Sequence, residues 1–225
     1  QMLAPRRLLR RVTLSLAGRL PTPAEQATVQ KGGLVALDAI VAQVMKEEAF
    51  FERLQEAFND ILLIRGYDGV PETALSYEHF KHRNWYQKHD LSSVGNEDAQ
   101  KKARYKLADD YREAMLREPL ELIKYIVRNE RPFTEILTAD YIMVTPYTSR
   151  GYGIYEELKD KFKDPDDPFE YLPARLPSLK HRDGRSHQES PTGFYPHTGL
   201  LSTFQYLKRF PTTETNRNRL RVRMY

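Results

Sequence analysis

The sequence contains no cysteine among its 225 residues. Disulfides, thiolate metal sites, iron–sulfur clusters and the C-x-x-C-H attachment of c-type haem all need cysteine sulfur, so these residues cannot form them. The absence indicates no particular compartment, because cysteine-free chains occur in all of them. Covalent haem attachment is therefore excluded within these residues, and a c-type haem would have to lie on a segment beyond them or on a partner.

Long hydrophobic runs are also missing. No stretch approaches the roughly 18 apolar residues that a membrane span needs, and the opening Gln1–Arg7 lacks the apolar region of a signal peptide. Since the chain opens on glutamine rather than methionine, removal of an earlier targeting segment is compatible with it. A helical pattern is cut at Tyr225, and we expect the polypeptide to continue past this residue or to be processed there.

Positive charge is concentrated at the two ends of the chain. Residues 1–20 hold five arginines and no acid, and residues 206–225 hold six lysines and arginines against one glutamate, while the whole chain carries only +4. The middle of the chain is therefore acidic. A nucleic-acid surface would be a basic face interleaved with reading side chains, so this pattern disfavours nucleic acid and favours other protein chains as partners.

Apolar residues recur at helical spacing up to about residue 144. Leu9, Val12 and Leu16 form the first stripe, and Gly18 follows as a helix stop. Residues 22–25, Thr-Pro-Ala-Glu, have the order of a capping box, which predicts a second helix. Similar stripes follow the Gly32-Gly33 break and extend to Val127. The sequence predicts a mainly α, multi-helix, bundle-like domain with little or no sheet.

The composition changes in the second half of the chain. Half of the fourteen prolines lie between Pro146 and Pro196, a density typical of irregular structure. We therefore predict a helical domain over residues 1–144, a long loop-rich, proline-rich insert over residues 145–196, and the start of a C-terminal helical segment over residues 197–225, truncated or processed at its end.

The six histidines are one group of residues that could carry chemistry. His79 and His82 lie three residues apart and Glu78 four before His82, so on one helix face they could offer ligands to zinc or iron. Surface histidines on a mixed aromatic face are the better interpretation, and we leave the metal unknown. His181 and His187 lie in the insert beside Asp183, a mixture typical both of a solvated loop and of a binding surface.

Motifs of the common catalytic classes are not found. The serines lack a G-x-S-x-G context, the Gly151-Tyr-Gly153 segment is not a phosphate loop, and acid pairs such as Glu156-Glu157 diverge on a helix. We assign no catalytic residue.

Three segments carry a resemblance. Residues 7–25, residues 131–141 and the region from His197 to Arg219 resemble, in this order, motifs of the planctomycete-type cytochrome-associated domain families of unknown function. The resemblance implies a mostly helical, exported bacterial protein, located in the periplasm, envelope or cell surface, that is often joined to a downstream c-type haem module. It carries over no catalytic residues.

Two hypotheses of function follow. The resemblance implies an exported, redox-associated protein or subunit that supports electron transfer with a cytochrome, in which axial haem ligation would need a histidine or methionine. The candidates for cofactor binding are Met143, His79, His82 and His197. The alternative is a non-catalytic structural or interaction subunit of an envelope or extracellular assembly, since a long ordered loop usually needs a partner. Polysaccharide hydrolysis is a third, weaker hypothesis.

Overall fold

A computed structural model of the chain describes residues 4–65, 70–187 and 190–211. These residues divide into two compact units. The first comprises the residues up to Leu62 together with Val127–Arg131, and the second comprises Leu63–Ile126 and the residues from Pro132 onward.

The first unit is built from three helices, α1 (Pro5–Ala17), α2 (Pro23–Val44) and α3 (Glu48–Leu62). Gly18 ends α1 in the left-handed conformation, at φ 65°, as its position after the apolar stripe predicts. The side chain of Thr22 accepts from the backbone N–H of Glu25, and the Glu25 side chain accepts in return from the backbone N–H of Thr22. Gly33 has non-helical angles inside α2, so the glycine pair kinks this helix.

A small apolar cluster holds these helices together. Its buried members recur at helical spacing on α1 and α2, with the arginines of α1 exposed on the opposite side. They are Leu9, Ala17, Val29, Leu37, Ile40 and Val44.

The second unit is organised by α4 (Glu97–Arg128), whose last residues belong to the first unit. Short elements follow: α5 (Glu135–Thr138), β1 (Ile142–Val144), α6 (Pro146–Tyr152), α7 (Tyr155–Leu158), β2 (Leu172–Ala174) and α8 (Phe204–Arg209). Single 3-10 turns lie at Pro71–Ala74, Trp85–Gln87 and Lys159–Lys161. The two strands pair antiparallel, with Met143 opposite Pro173.

The prediction of a mainly α protein with little sheet is confirmed: the described residues contain eight α-helices and one two-stranded sheet. None of these helices combines the length and apolar character needed to cross a membrane.

The proline-rich residues 145–196 contribute directly to the core of the second unit. They include α6, α7 and β2, and Tyr152, Ile154 and Phe162 are buried in the same cluster as Tyr111 of α4. The domain boundaries after residues 144 and 196 stay predictions. Within the predicted C-terminal segment 197–225, residues 204–209 form α8, and residues 212–225 lie outside the described residues.

Candidate metal centre

A tight hairpin places His181 and His187 side by side. The backbone N–H of His187 donates to the carbonyl of Leu179 at 2.9 Å, and that of His181 donates to the carbonyl of Arg185 at 2.8 Å. Gly184 makes the turn with φ at 89°, where a side chain would be strained. The ring centroids of the two histidines lie 5.1 Å apart.

His79 reaches the same place from a distant part of the sequence. Its ring centroid lies 4.3 Å from that of His187 and 5.2 Å from that of His181. One ligand atom from each of the three histidines lies within 4.8 Å of the other two. We call His79, His181 and His187 the three-histidine centre. It is partly exposed, which leaves room for an ion to enter.

The ring nitrogens on the outer side of the centre have partners. His79 Nδ1 lies 3.0 Å from the backbone carbonyl of Lys180, and His181 Nδ1 lies 3.1 Å from Glu78 Oε1. A carbonyl and a carboxylate can only accept, so Nδ1 of each ring is the donor, and Nε2 is the ring nitrogen left to bind a metal. Partners of this kind orient histidines that bind metals.

Glu78 is held in place on its own account. Its Oε1 also accepts from the backbone N–H of Arg182 at 3.3 Å. This backbone hydrogen bond and the one from His181 lower the pKa of Glu78 below its usual value. The carboxylate is therefore ionised at neutral pH and is a fixed hydrogen-bond acceptor for His181.

The spacing of two ring nitrogens already matches that of ligands on one metal ion. His187 Nδ1 lies 3.4 Å from His181 Nε2. With zinc–nitrogen distances of about 2.0–2.1 Å, two ligands of a tetrahedral site lie about 3.4 Å apart. Without a metal, a single shared proton would join the two rings. Imidazole ligands suit zinc, copper, iron and nickel.

The structure does not bring His79 and His82 together. The segment between them forms turns rather than the helix on which we expected a shared face. His82 is exposed and lines a separate cavity of about 330 Å³ with Trp85 and Arg150, and it is not part of the three-histidine centre. Glu78 contacts His181 instead of His82.

The other two candidate ligands, Met143 and His197, lie in packed surroundings. Met143 lies in β1 and is 2% exposed. His197 Nε2 accepts from the backbone N–H of Leu176 at 3.0 Å. Burial, with a contribution from Arg175, lowers the pKa of His197 to about 4, so the ring is neutral at neutral pH.

Sequence reasoning missed the combination of His79 with His181 and His187. The pairing of His181 with His187 could have been predicted from the Asp183-Gly184 pair between them, which is typical of a turn between paired strands. The contact with His79 spans about a hundred residues, and no local pattern records it.

Comparison with known proteins gives one match. Residues 69–154 are similar to the PSD4 family, described as a protein of unknown function (DUF1592). No curated protein and no solved structure matches the chain. The matched segment includes His79 and residues 131–141, one of the three motifs noted above, whereas His181 and His187 lie beyond it. This part of the chain is thus similar to a family of unknown function, and the match carries no link to cytochromes or to planctomycetes.

Proposed function

We propose that this chain binds one divalent transition-metal ion, zinc in the first instance, through His79, His181 and His187. The observation that carries the proposal is the convergence of three imidazoles within 4.8 Å while the outer nitrogens of two of them are held by a carbonyl and a carboxylate. A chance surface cluster has no need of such orienting partners.

The ligand set favours a reactive rather than a purely structural centre. Structural zinc sites are closed by four protein ligands, whereas sites that bind or activate small molecules keep three protein ligands and one open position. Among the described residues, three histidines converge and no fourth side chain joins them. We infer that the fourth position is open to water or to an exogenous ligand.

The cytochrome-linked role stays a proposal that rests on the sequence motifs. The three-histidine centre is compatible with it, because imidazole also suits copper and iron, which exchange electrons. A reduced-minus-oxidised visible spectrum of the protein from its native source tests this role. Haem bands in fixed ratio with the chain would support it, and a spectrum without them would favour the role of an interaction subunit in an extracytoplasmic assembly.

Metal titration tests the proposed centre. The purified chain, first stripped with a chelator, is titrated with zinc in competition with a chromophoric chelator. We expect one ion per chain. The variants His79→Ala, His181→Ala and His187→Ala should each lose more affinity than the roughly 10–100-fold that loss of an orienting partner costs.

His82→Ala is the matched control, since His82 is exposed in the same unit and lies apart from the centre. Its zinc affinity should equal that of the unmodified chain, and circular dichroism should show all four variants folded. Equal losses in His82→Ala and in the three centre variants would contradict the proposal, as would full affinity in any one centre variant.

A further inference from the structure

A cavity of about 220 Å³ adjoins the three-histidine centre and shares His79 with it. Its other walls are mostly apolar or aromatic, with one serine and one lysine among them. They are formed by Phe80, Tyr152, Leu176, Pro177, Ser178, Leu179 and Lys180. The cavity therefore borders the three-histidine centre at His79.

We propose that this site binds a small monocarboxylate, whose carboxylate occupies the open position of the metal and whose apolar body fills the cavity. This inference rests on the proposed metal centre. A ligand that fills it must carry two unlike ends, because the centre offers a dication and the cavity offers hydrocarbon.

The positive charges at this site indicate that the end of the ligand that binds the metal is an anion. Lys180 lines the cavity, precedes His181 in the chain and holds His79 Nδ1 through its backbone carbonyl, so this lysine is the direct neighbour of two metal ligands. A metal dication beside a lysine favours a carboxylate over a neutral oxygen ligand. Ser178 adds a hydroxyl that can donate to the second carboxylate oxygen.

The size of the cavity and the apolar character of its walls indicate what the other end of the ligand is. The volume of about 220 Å³ corresponds to about seven waters at a liquid share of about 30 Å³ each. It is smaller than the roughly 300–1,000 Å³ of sites for drug-sized ligands. Phe80 and Tyr152 meet edge to face on one side, with ring centroids 5.9 Å apart, and such an aromatic wall suits a short alkyl chain or a single ring such as that of benzoate.

Cobalt substitution gives a direct readout of the fourth position, since the visible spectrum of protein-bound Co(II) changes when an exogenous ligand coordinates. The Co(II)-loaded chain is titrated with benzoate, with acetate and with benzyl alcohol. We expect benzoate to bind about 10- to 100-fold more tightly than acetate, because burial of a ring removes apolar surface worth about 25 cal/mol per Å². Benzyl alcohol, which has the ring without the charge, should leave the spectrum unchanged.

Two variants separate the two ends of the ligand. Ser178→Phe should fill the cavity, lowering benzoate affinity to the level of acetate while Co(II) affinity is retained. Lys180→Gln should weaken both carboxylates several-fold and keep the preference for benzoate. Lys101→Gln, an exposed lysine on α4, is the control and should change neither.

The outcomes distinguish the two proposals. Failure of the chain to bind Co(II) would overturn the metal centre and the carboxylate site together. Co(II) binding with equal affinity for benzoate and acetate, or with no spectral response to either, would overturn only the carboxylate site.

Discussion

Gly151 and Tyr111 are packed so closely that a Cβ atom on Gly151 would lie 2.1 Å from the Tyr111 hydroxyl oxygen. Tyr111 is fully buried on α4, and Gly151 is buried in α6. The glycine is therefore needed for the space it leaves rather than for an unusual backbone angle.

We expect Gly151→Ala to destabilise the chain by about 1–3 kcal/mol, as overpacking of a dense core does. Thermal unfolding followed by circular dichroism measures the loss. The control is Ala99→Gly on α4, which measures the ordinary difference in helix propensity between alanine and glycine, about 1 kcal/mol. Gly193→Ala would not serve, because Gly193 has a positive φ and alanine would be strained there. A melting temperature for Gly151→Ala equal to that of the unmodified chain would contradict this packing.

Tyr111→Phe should be neutral or stabilising. The Tyr111 hydroxyl is buried and has no hydrogen-bond partner among the described residues, so its removal relieves a desolvation cost of about 1–3 kcal/mol. Tyr152→Phe is the matched comparison, because the Tyr152 hydroxyl donates to Glu118 Oε2 at 2.6 Å. Tyr152→Phe should therefore lose stability. If a urea titration showed Tyr111→Phe to be the less stable of the two variants, the Tyr111 hydroxyl would have a hydrogen-bond partner after all.

Glu118 should make the stability of the chain fall as the pH rises. Burial raises the pKa of Glu118 from 4.5 to about 8, so the folded chain holds a proton that the unfolded chain releases between these values. The stabilisation is fully present below pH 4.5 and is lost as the pH rises toward 8. Each unit of pKa difference corresponds to about 1.4 kcal/mol, so the loss is at most on the order of 5 kcal/mol.

Glu118→Gln isolates this effect because its amide stays neutral at every pH. We expect the variant to exceed the unmodified chain in unfolding free energy at pH 8 and to approach it near pH 4.5. The difference between the two chains is the quantity to measure, since His197, with its pKa lowered to about 4, contributes a slope of opposite sign below pH 6.5. The control is Glu97→Gln, exposed on the same helix. A difference that is constant with pH would show that folding does not raise the pKa of Glu118.

The parts of the fold that were predicted from sequence are those that local chemistry determines. The capping box of Thr22 and Glu25, the stop at Gly18 and the break at Gly33 each depend on a few neighbouring residues. Pro119 does not end α4, which continues through it to Arg128.

The order within residues 145–196 was not visible in the sequence. Proline density suggested loops, but Thr145 and Thr148 cap α6 reciprocally, with threonine in the place where glutamate usually stands. The three-histidine centre escaped prediction for a different reason. His79 meets His181 only because the second unit folds a turn-rich segment against a hairpin about a hundred residues later.

Arg19 should support the first unit through two carboxylates at once. Its guanidinium donates to both oxygens of Glu25, at 2.6 and 3.0 Å, and to both oxygens of Glu47, at 2.6 and 2.8 Å. Arg19→Lys cannot reproduce two forked pairs. We expect a loss of about 1–2 kcal/mol, kept modest because the three side chains are partly exposed.

The stability lost in Arg19→Lys should depend on pH. Hydrogen bonds from Arg19 lower the pKa of Glu25 from 4.5 to about 2, so this stabilisation is present above pH 4.5 and disappears as the pH falls toward 2. Urea titrations of the two chains should therefore differ at pH 7 and converge near pH 2. Arg53→Lys, in an exposed pair with Glu56, should change little at either pH. If the unfolding free energies of Arg19→Lys and the unmodified chain still differed at pH 2, Arg19 would act through packing alone.

Glu78 should tune the affinity of the metal centre without being a ligand. Its carboxylate holds His181 Nδ1 at 3.1 Å, on the side of the ring away from Nε2. Glu78→Gln keeps an acceptor oxygen but removes the negative charge, and Glu78→Ala removes both. Loss of such a partner lowers metal affinity by about 10–100-fold, so we expect zinc affinity to fall about 10-fold in the first variant and further in the second.

The zinc affinities of Glu78→Gln and Glu78→Ala, compared with the melting temperatures of the metal-free variants, separate an orienting role of Glu78 from a structural one. Glu156→Gln removes an exposed carboxylate that pairs with Lys159 in the same unit, and it should leave zinc affinity unchanged. If Glu78 only braced the hairpin, Gln and Ala would lower the melting temperature of the metal-free chain and reduce zinc affinity in proportion. An orienting carboxylate predicts instead that Glu78→Gln melts at nearly the same temperature without zinc and gains less stability when zinc is added, because the stabilisation by a bound ligand grows with its affinity.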